Sequence, residues 1–354
     1  MRTGWSLGWR TSQFFFNWQD LGFVSRGLVG TLLHPFPAAQ RTEVFFAVSW
    51  LMVAAFTAAF VVLYRRAAER LEPAAARRLL MVCVANPALF LRQGFDLGRF
   101  DPLGLAATIV SLLAIEQGRT WVAGLLSALA LLSHEAYLVI EMPLLLAWLV
   151  MQPATRPRDY AALLTLPVVV TALIGMFGRY EPGLEVLTRY FAGQPRYLAA
   201  KGGEVDVDAI AVLTRGLGDN FEFMVRMLRE KRAWLHLPII LAWGVLMTAF
   251  FAAFYRLNGL RPDPLFWACF SPLLLSAIAC DHYRWVALVA TNMFIVIMLQ
   301  VHRLSARGFV PWIPSGWLAG LLIATAVLGP ISNTKSFPLL FAILGHIVPG
   351  WISE

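Results

Sequence analysis

Of the 354 residues, 59% are hydrophobic and 14% charged, which is more apolar side chain than a compact interior could hide; this excludes a water-soluble globular protein. A mean hydropathy of +0.66 makes the bilayer the solvent. The net charge of +8 and pI near 9.8 do not mark a nucleic-acid binder, because the basic residues punctuate apolar spans instead of forming a tract or an aromatic-basic face.

Segment 1–42 comes first and lacks a basic start followed by an apolar run, so no cleavable signal peptide is expected. Residues 13–36 mix aromatic, apolar and charged side chains without a continuous apolar stretch, the pattern of a pair of interfacial helices on the outer face. A start on that face implies a further span upstream in relatives.

A span needs roughly 20 apolar residues to cross about 30 Å of hydrocarbon. Ten candidates follow: 43–64, 79–91, 102–116, 120–133, 136–151, 160–177, 237–254, 264–280, 286–301 and 317–334. The expected fold is all-α, a polytopic bundle of about ten spans: six within 43–177, an outer loop at 178–236, four within 237–334, then an apolar tail at 335–354. The stretch 120–151 is too long for one span, so it reads as two short helices hinged at Ser133, His134 and Glu135. Cys83, Cys269 and Cys280 fall in or beside spans without paired spacing, as packing residues.

Arginines set the sidedness. Arg65/Arg66/Arg70/Arg77/Arg78, Arg119, Arg156/Arg158, Arg256/Arg261 and Arg303/Arg307 occupy alternate connections, which places those connections in the cytoplasm. The opposite connections hold the remaining charge. In the outer loop, Arg179, Tyr180, Arg189, Tyr190, Arg196, Tyr197 and Lys201 alternate basic and phenolic groups. Ile210, Leu213, Leu217, Phe221, Met224 and Leu228 then keep helical spacing, so amphipathic helices over the outer leaflet are expected.

Three charged groups mark that outer face. In FLRQGFDLGRFDPLGL, Arg92, Asp96, Arg99 and Asp101 crowd one bundle mouth, with Asp101 ahead of Pro102 in the place of a helix cap. In SHEAYLVIEMP, His134, Tyr137 and Glu141 share one helical face while Glu135 points elsewhere. In CDHYRW, Asp281 and Arg284 are spaced to pair beside His282, and Trp285 reads as an interface anchor.

The stretch GRFDPLGLAATIVSLLAIEQGRTWVAGLLSALALLSHEAYLVIEMP resembles the membrane glycosyltransferases of the GT-C type, and DLGFVSRGLVG (Asp20 to Gly30) and CDHYRW look like segments of uncharacterised bacterial polytopic proteins related to that group. The likeness covers about a third of the chain, which departs by carrying His134 where many relatives have Lys and by having no evident span before Asp20. It implies a multi-pass enzyme of the bacterial inner membrane acting in polysaccharide biosynthesis at the cell envelope. Such an enzyme moves a sugar from a polyprenyl-phosphate donor to a glycan or lipid acceptor, with Asp20, or Asp101, as the base. Unaided, the residues fit the same chemistry: a carboxylate takes a hydroxyl proton, and Arg26, Arg92, Arg99, His134 and Arg284 hold departing phosphate, with Asp96, Glu135, Asp281 and His282 beside them. No metal cage is evident, although a carboxylate pair would hold a divalent ion weakly. The alternatives are a transporter or flippase of lipid-linked sugars, a polysaccharide polymerase, and an acyltransferase built around His134.

Overall fold

The computed structural model describes residues 7–230, 237–279, 281–312 and 320. Cys280, the tail at 335–354 and, save residue 320, the tenth expected span lie outside these residues. Every described element is helical. After a 3-10 segment at Gly8–Phe15 come α1 (Trp18–Leu21), α2 (Leu28–Leu33), a short 3-10 turn, α3 (Thr42–Ala68), α4 (Pro73–Ala85), α5 (Phe90–Phe95), α6 (Asp101–Glu116), α7 (Thr120–Ser133), α8 (Tyr137–Ile140) and α9 (Met142–Val150). Then follow α10 (Pro157–Phe177), α11 (Leu184–Ala192), α12 (Pro195–Lys201), α13 (Val207–Ala211), α14 (Leu217–Glu230), α15 (Leu237–Leu257), α16 (Pro264–Ala268), a 3-10 segment at Ser271–Ala277 and α17 (His282–Ala306).

Five described stretches are long and apolar enough to cross a membrane: Thr42–Ala68, Pro73–Phe95, Pro157–Phe177, Ile240–Leu257 and His282–Ala306. The chain is a membrane protein. On α10, Val168, Met176 and Phe177 are more than half exposed, which water penalises and lipid does not. The contacts divide the chain into two compact units, Met1–Phe56 with Leu97–Glu222, and Thr57–Asp96 with Phe223–Glu354.

In the first unit α6, α7 and α10 pack together, and Gly124 lets α7 approach the backbone carbonyls of Ala162 and Leu163. Trp148 of α9 donates its indole N–H to Leu112 O of α6 at 3.0 Å, and Tyr137 of α8 donates to Asp101 O at 2.7 Å. The chain between α7 and α9 breaks twice. His134 is extended (φ −165, ψ 117), which ends α7 where the charged pair was expected to hinge it. Glu141 then separates α8 from α9, because Pro143 has no N–H to continue the ladder. His134, Tyr137 and Glu141 therefore do not share one continuous helical face as the spacing predicts.

The N-terminal aromatics also depart from expectation. Phe14, Phe15 and Phe16 do not lie along a membrane interface; all three are buried with Phe45, Phe100, Phe191 and Tyr197. Phe14 stacks on Phe45 (centroids 4.7 Å apart) and Phe15 meets Tyr197 edge-on at 5.3 Å. Residues of the outer loop thus cover what looked in sequence like lipid-seeking rings. The apolar series from Ile210 to Leu228 is likewise not one face: the helix breaks between α13 and α14, Ile210 and Leu213 are buried, and Leu217 is 71% exposed.

In the second unit α17 is buried along nearly its whole length. Two of its polar groups are tied to neighbouring segments: Thr291 Oγ1 donates to Ala88 O at 3.2 Å, and Gln300 Nε2 to Asp263 Oδ2 at 2.7 Å. Asp263 caps α16 and accepts from Tyr255 as well, closing a polar knot between α15, α16 and α17. Trp285, read in sequence as an interface anchor, is 3% exposed and lies under the Arg284 guanidinium.

Candidate functional site

Asp20 sits in the first turn of α1, where Asn17 caps the helix by accepting Asp20 N–H at 2.8 Å. The Asn17 amide donates to Phe15 O and to Asp20 Oδ2, both at 3.1 Å. Two groups from further along the chain meet the same oxygen: Tyr190 of α11 donates at 2.6 Å, and His34 Nε2 stands at 3.0 Å. Among the described residues all three contacts fall on Oδ2, so Oδ1 has no hydrogen-bond partner on a side chain that is 33% exposed. Burial pushes the Asp20 carboxyl up, but the hydrogen bonds from Tyr190 and Asn17 and the charge of His34 outweigh it and hold the group below its ordinary value. Desolvation and the neighbouring Asp20 carboxylate push the Tyr190 phenol well up, so it stays a donor. Asp20 is a fixed carboxylate with one oxygen clamped and the other open.

The loop after α1 is fastened to α2. Trp18 donates its backbone N–H to Thr31 Oγ1 and its indole N–H to Val24 O, each at 2.9 Å. Within that loop Arg26 holds φ +63, a left-handed conformation that a side chain with Cβ rarely takes and that is the one such case among the described residues. The conformation delivers its guanidinium to Glu135 in the turn after α7. Nε donates to Oε2 at 2.9 Å, and Nη2 pairs with Oε1. Desolvation raises the Glu135 carboxyl, yet the charge and hydrogen bonding of Arg26 overcome this and keep it well below the usual range. His134 Nδ1 accepts from Ala136 N–H at 3.2 Å, so the 3.6 Å approach of Glu135 to Nδ1 is not itself a hydrogen bond.

Two other expected residues belong to this unit. Arg99 is buried with its guanidinium 4.7 Å above the Trp9 ring. Asp101 is not the helix cap that its place before Pro102 predicts: Phe100 is the capping position, Asp101 is the first helical residue, and its backbone carbonyl receives Tyr137.

The remaining expected residues lie in the second unit. Arg92 Nε and Asp96 Oδ2 are 3.8 Å apart and both side chains are buried, an i,i+4 pair as the spacing predicts. Asp281 and Arg284 pair at 3.6 Å, with His282 opening α17 between them. Sequence reasoning missed Asn17, His34 and Trp9 as partners. It noted Tyr190 only within the alternation of basic and phenolic residues, which was the available signal. A concavity of about 550 Å³ lies elsewhere in the first unit, walled by Gln40, Arg41, Glu43 and Arg196 among others; Asp20 is not on its wall. Among the described residues no three His, Cys, Asp or Glu side chains converge to hold a metal ion.

No protein family, curated protein or solved structure matches this chain.

Proposed function

We propose that the chain is a GT-C-type glycosyltransferase of the bacterial inner membrane, with about ten spans. It moves a sugar from a polyprenyl-phosphate donor to a hydroxyl of a glycan or lipid acceptor at the periplasmic face. The observation that carries this reading is Asp20, whose Oδ2 is clamped by three partners while Oδ1 is left for a ligand. The bond from the sugar carbon to phosphate oxygen breaks and the phosphate leaves with the electron pair. The acceptor oxygen bonds to that carbon, and its proton passes to Oδ1. A carboxylate of lowered proton affinity suits a transition state rich in positive charge on the sugar, where the hydroxyl gives up its proton late.

The departing phosphate needs cations, and within the unit that holds Asp20 the candidates from their chemistry are Arg26, Arg99 and His134. Arg26 is bound to Glu135, so it serves a phosphate only by exchanging one oxyanion for another. The second reading, a flippase of lipid-linked sugars, draws on the buried pair Arg92–Asp96, since paired charge inside a membrane bundle also lines transport routes.

Purified protein given a polyprenyl-phosphate sugar should transfer the sugar to an acceptor, or slowly to water, without any gradient. Asp20→Asn keeps shape and one acceptor oxygen but lacks proton affinity, so it should bind donor and lose roughly 10²- to 10⁴-fold in turnover. Wild-type turnover in that variant removes Asp20 from the chemistry. Donor crossing vesicles with no bond cleaved favours the flippase.

A further inference from the structure

Glu141 plays no part in the chemistry above, and its surroundings identify a second site. It stands at the break between α8 and α9 and is 0% exposed. From α7, Ser127 Oγ donates to Oε1 at 2.9 Å. From α6, the buried Ser111 hydroxyl approaches the same carboxyl closely enough to act on it, but outside good hydrogen-bond geometry, so that Ser111 Oγ and Glu141 Oε2 have no well-formed partner among the described residues. Polar atoms left without a good partner in a buried, apolar setting are costly. An ionised carboxylate there would cost far more unless a cation met it. The charged or titratable groups on the packed elements are Asp101 and Glu116 on α6, His134 and Glu135 after α7, and Tyr137 on α8, and none of them interacts electrostatically with Glu141.

We propose that Glu141 is a proton-binding site: at neutral pH it is the carboxylic acid, its proton on Oε2 donated to Ser111 Oγ, while Oε1 accepts from Ser127. One proton then satisfies both orphans and joins α6, α7 and the α8–α9 break. That junction fixes the turn carrying Glu135, the partner of Arg26. The ligand is the proton and not a metal ion, because two serines and one carboxylate supply too few oxygens for a desolvated cation.

The test is the infrared difference spectrum of full-length wild type minus Glu141→Gln, both in detergent. A protonated-carboxyl C=O stretch should be present at pH 7, move on exchange into heavy water, and vanish on titration to alkaline pH. Both serine hydroxyls can donate to the anion, and a bond to the charged form is the stronger one. Ser127→Ala and Ser111→Ala should therefore each raise the titration midpoint. Each shift should be about one pH unit, the worth of one hydrogen bond. Sodium ions should leave the band unchanged, and Glu141→Gln, whose amide copies the acid, should melt near wild type while Glu141→Ala melts lower. Absence of the band at pH 7, its loss on adding sodium, or a titration midpoint unmoved in both serine variants would overturn the proposal.

Discussion

At Asp20 the decisive quantity is how strongly its partners favour the anion. Tyr190 gives the shortest of the three bonds to Oδ2, 2.6 Å, and stabilises the charged form. Tyr190→Phe should therefore raise the proton affinity of Asp20 and move the acid limb of the turnover–pH profile upward by about one unit, with little change at alkaline pH. An unmoved acid limb means that Asp20 does not control it. Arg26 and Glu135 make a second residue-scale case. Because the folded Glu135 carboxyl is held below its ordinary value, the stability it contributes is complete above about pH 4.3 and is lost as pH falls through the folded value. The melting temperature of Arg26→Ala should lie below wild type by a constant margin from pH 8 to about pH 5 and converge on it in stronger acid. A margin that stays constant into strong acid removes the pair as its source.

Helix packing gives a contrasting pair of glycines, one inside the contact of α7 with α10 and one in open space. A Cβ on Gly124 of α7 would run into the carbonyls of Ala162 and Leu163, which are backbone and cannot rotate away; Gly175 of α10 has nothing within 4 Å. Gly124→Ala should destabilise by about 1–3 kcal/mol, and Gly175→Ala should be neutral or stabilise by up to about 1 kcal/mol through helix propensity. Equal melting temperatures for the two would mean that α7 and α10 are not in close contact. Elements of this kind were legible where the period was strong: five of the ten expected spans fall on described helices long and apolar enough to cross a membrane, and the hinge at Ser133 to Glu135 was readable because two polar residues interrupt an apolar run. The Phe14 to Phe16 run was not, since burial against Phe45, Phe191 and Tyr197 depends on contacts distant in sequence. The Asp20 cluster was half legible. Its carboxylate stood out beside Arg26, but Tyr190 comes from 170 residues away and only folding brings it to Oδ2.

For the molecule as a whole, sidedness follows from arginine placement and from parity. The stretches α6 and α7 have 16 and 14 residues, about 24 and 21 Å of helix, shorter than the roughly 30 Å hydrocarbon core. Whether each crosses decides the side of everything after it. Arg65 and Arg66 end α3, Arg77 and Arg78 open α4, and Arg156 and Arg158 flank the start of α10; if both groups are cytoplasmic, an even number of crossings separates them, as four passes by α4–α5, α6, α7 and α8–α9 provide. A single crossing by α10 then takes the loop with Tyr190 outside, and α15 returns the chain to Arg256. Reporters fused at Ala76, Thr155, Gly259 and Ser305 should read cytoplasmic and one at Gly202 periplasmic. A periplasmic Thr155 with a cytoplasmic Gly202 would mean an odd number of crossings between the arginine groups, and would put Asp20's partner Tyr190 on the side away from any periplasmic acceptor.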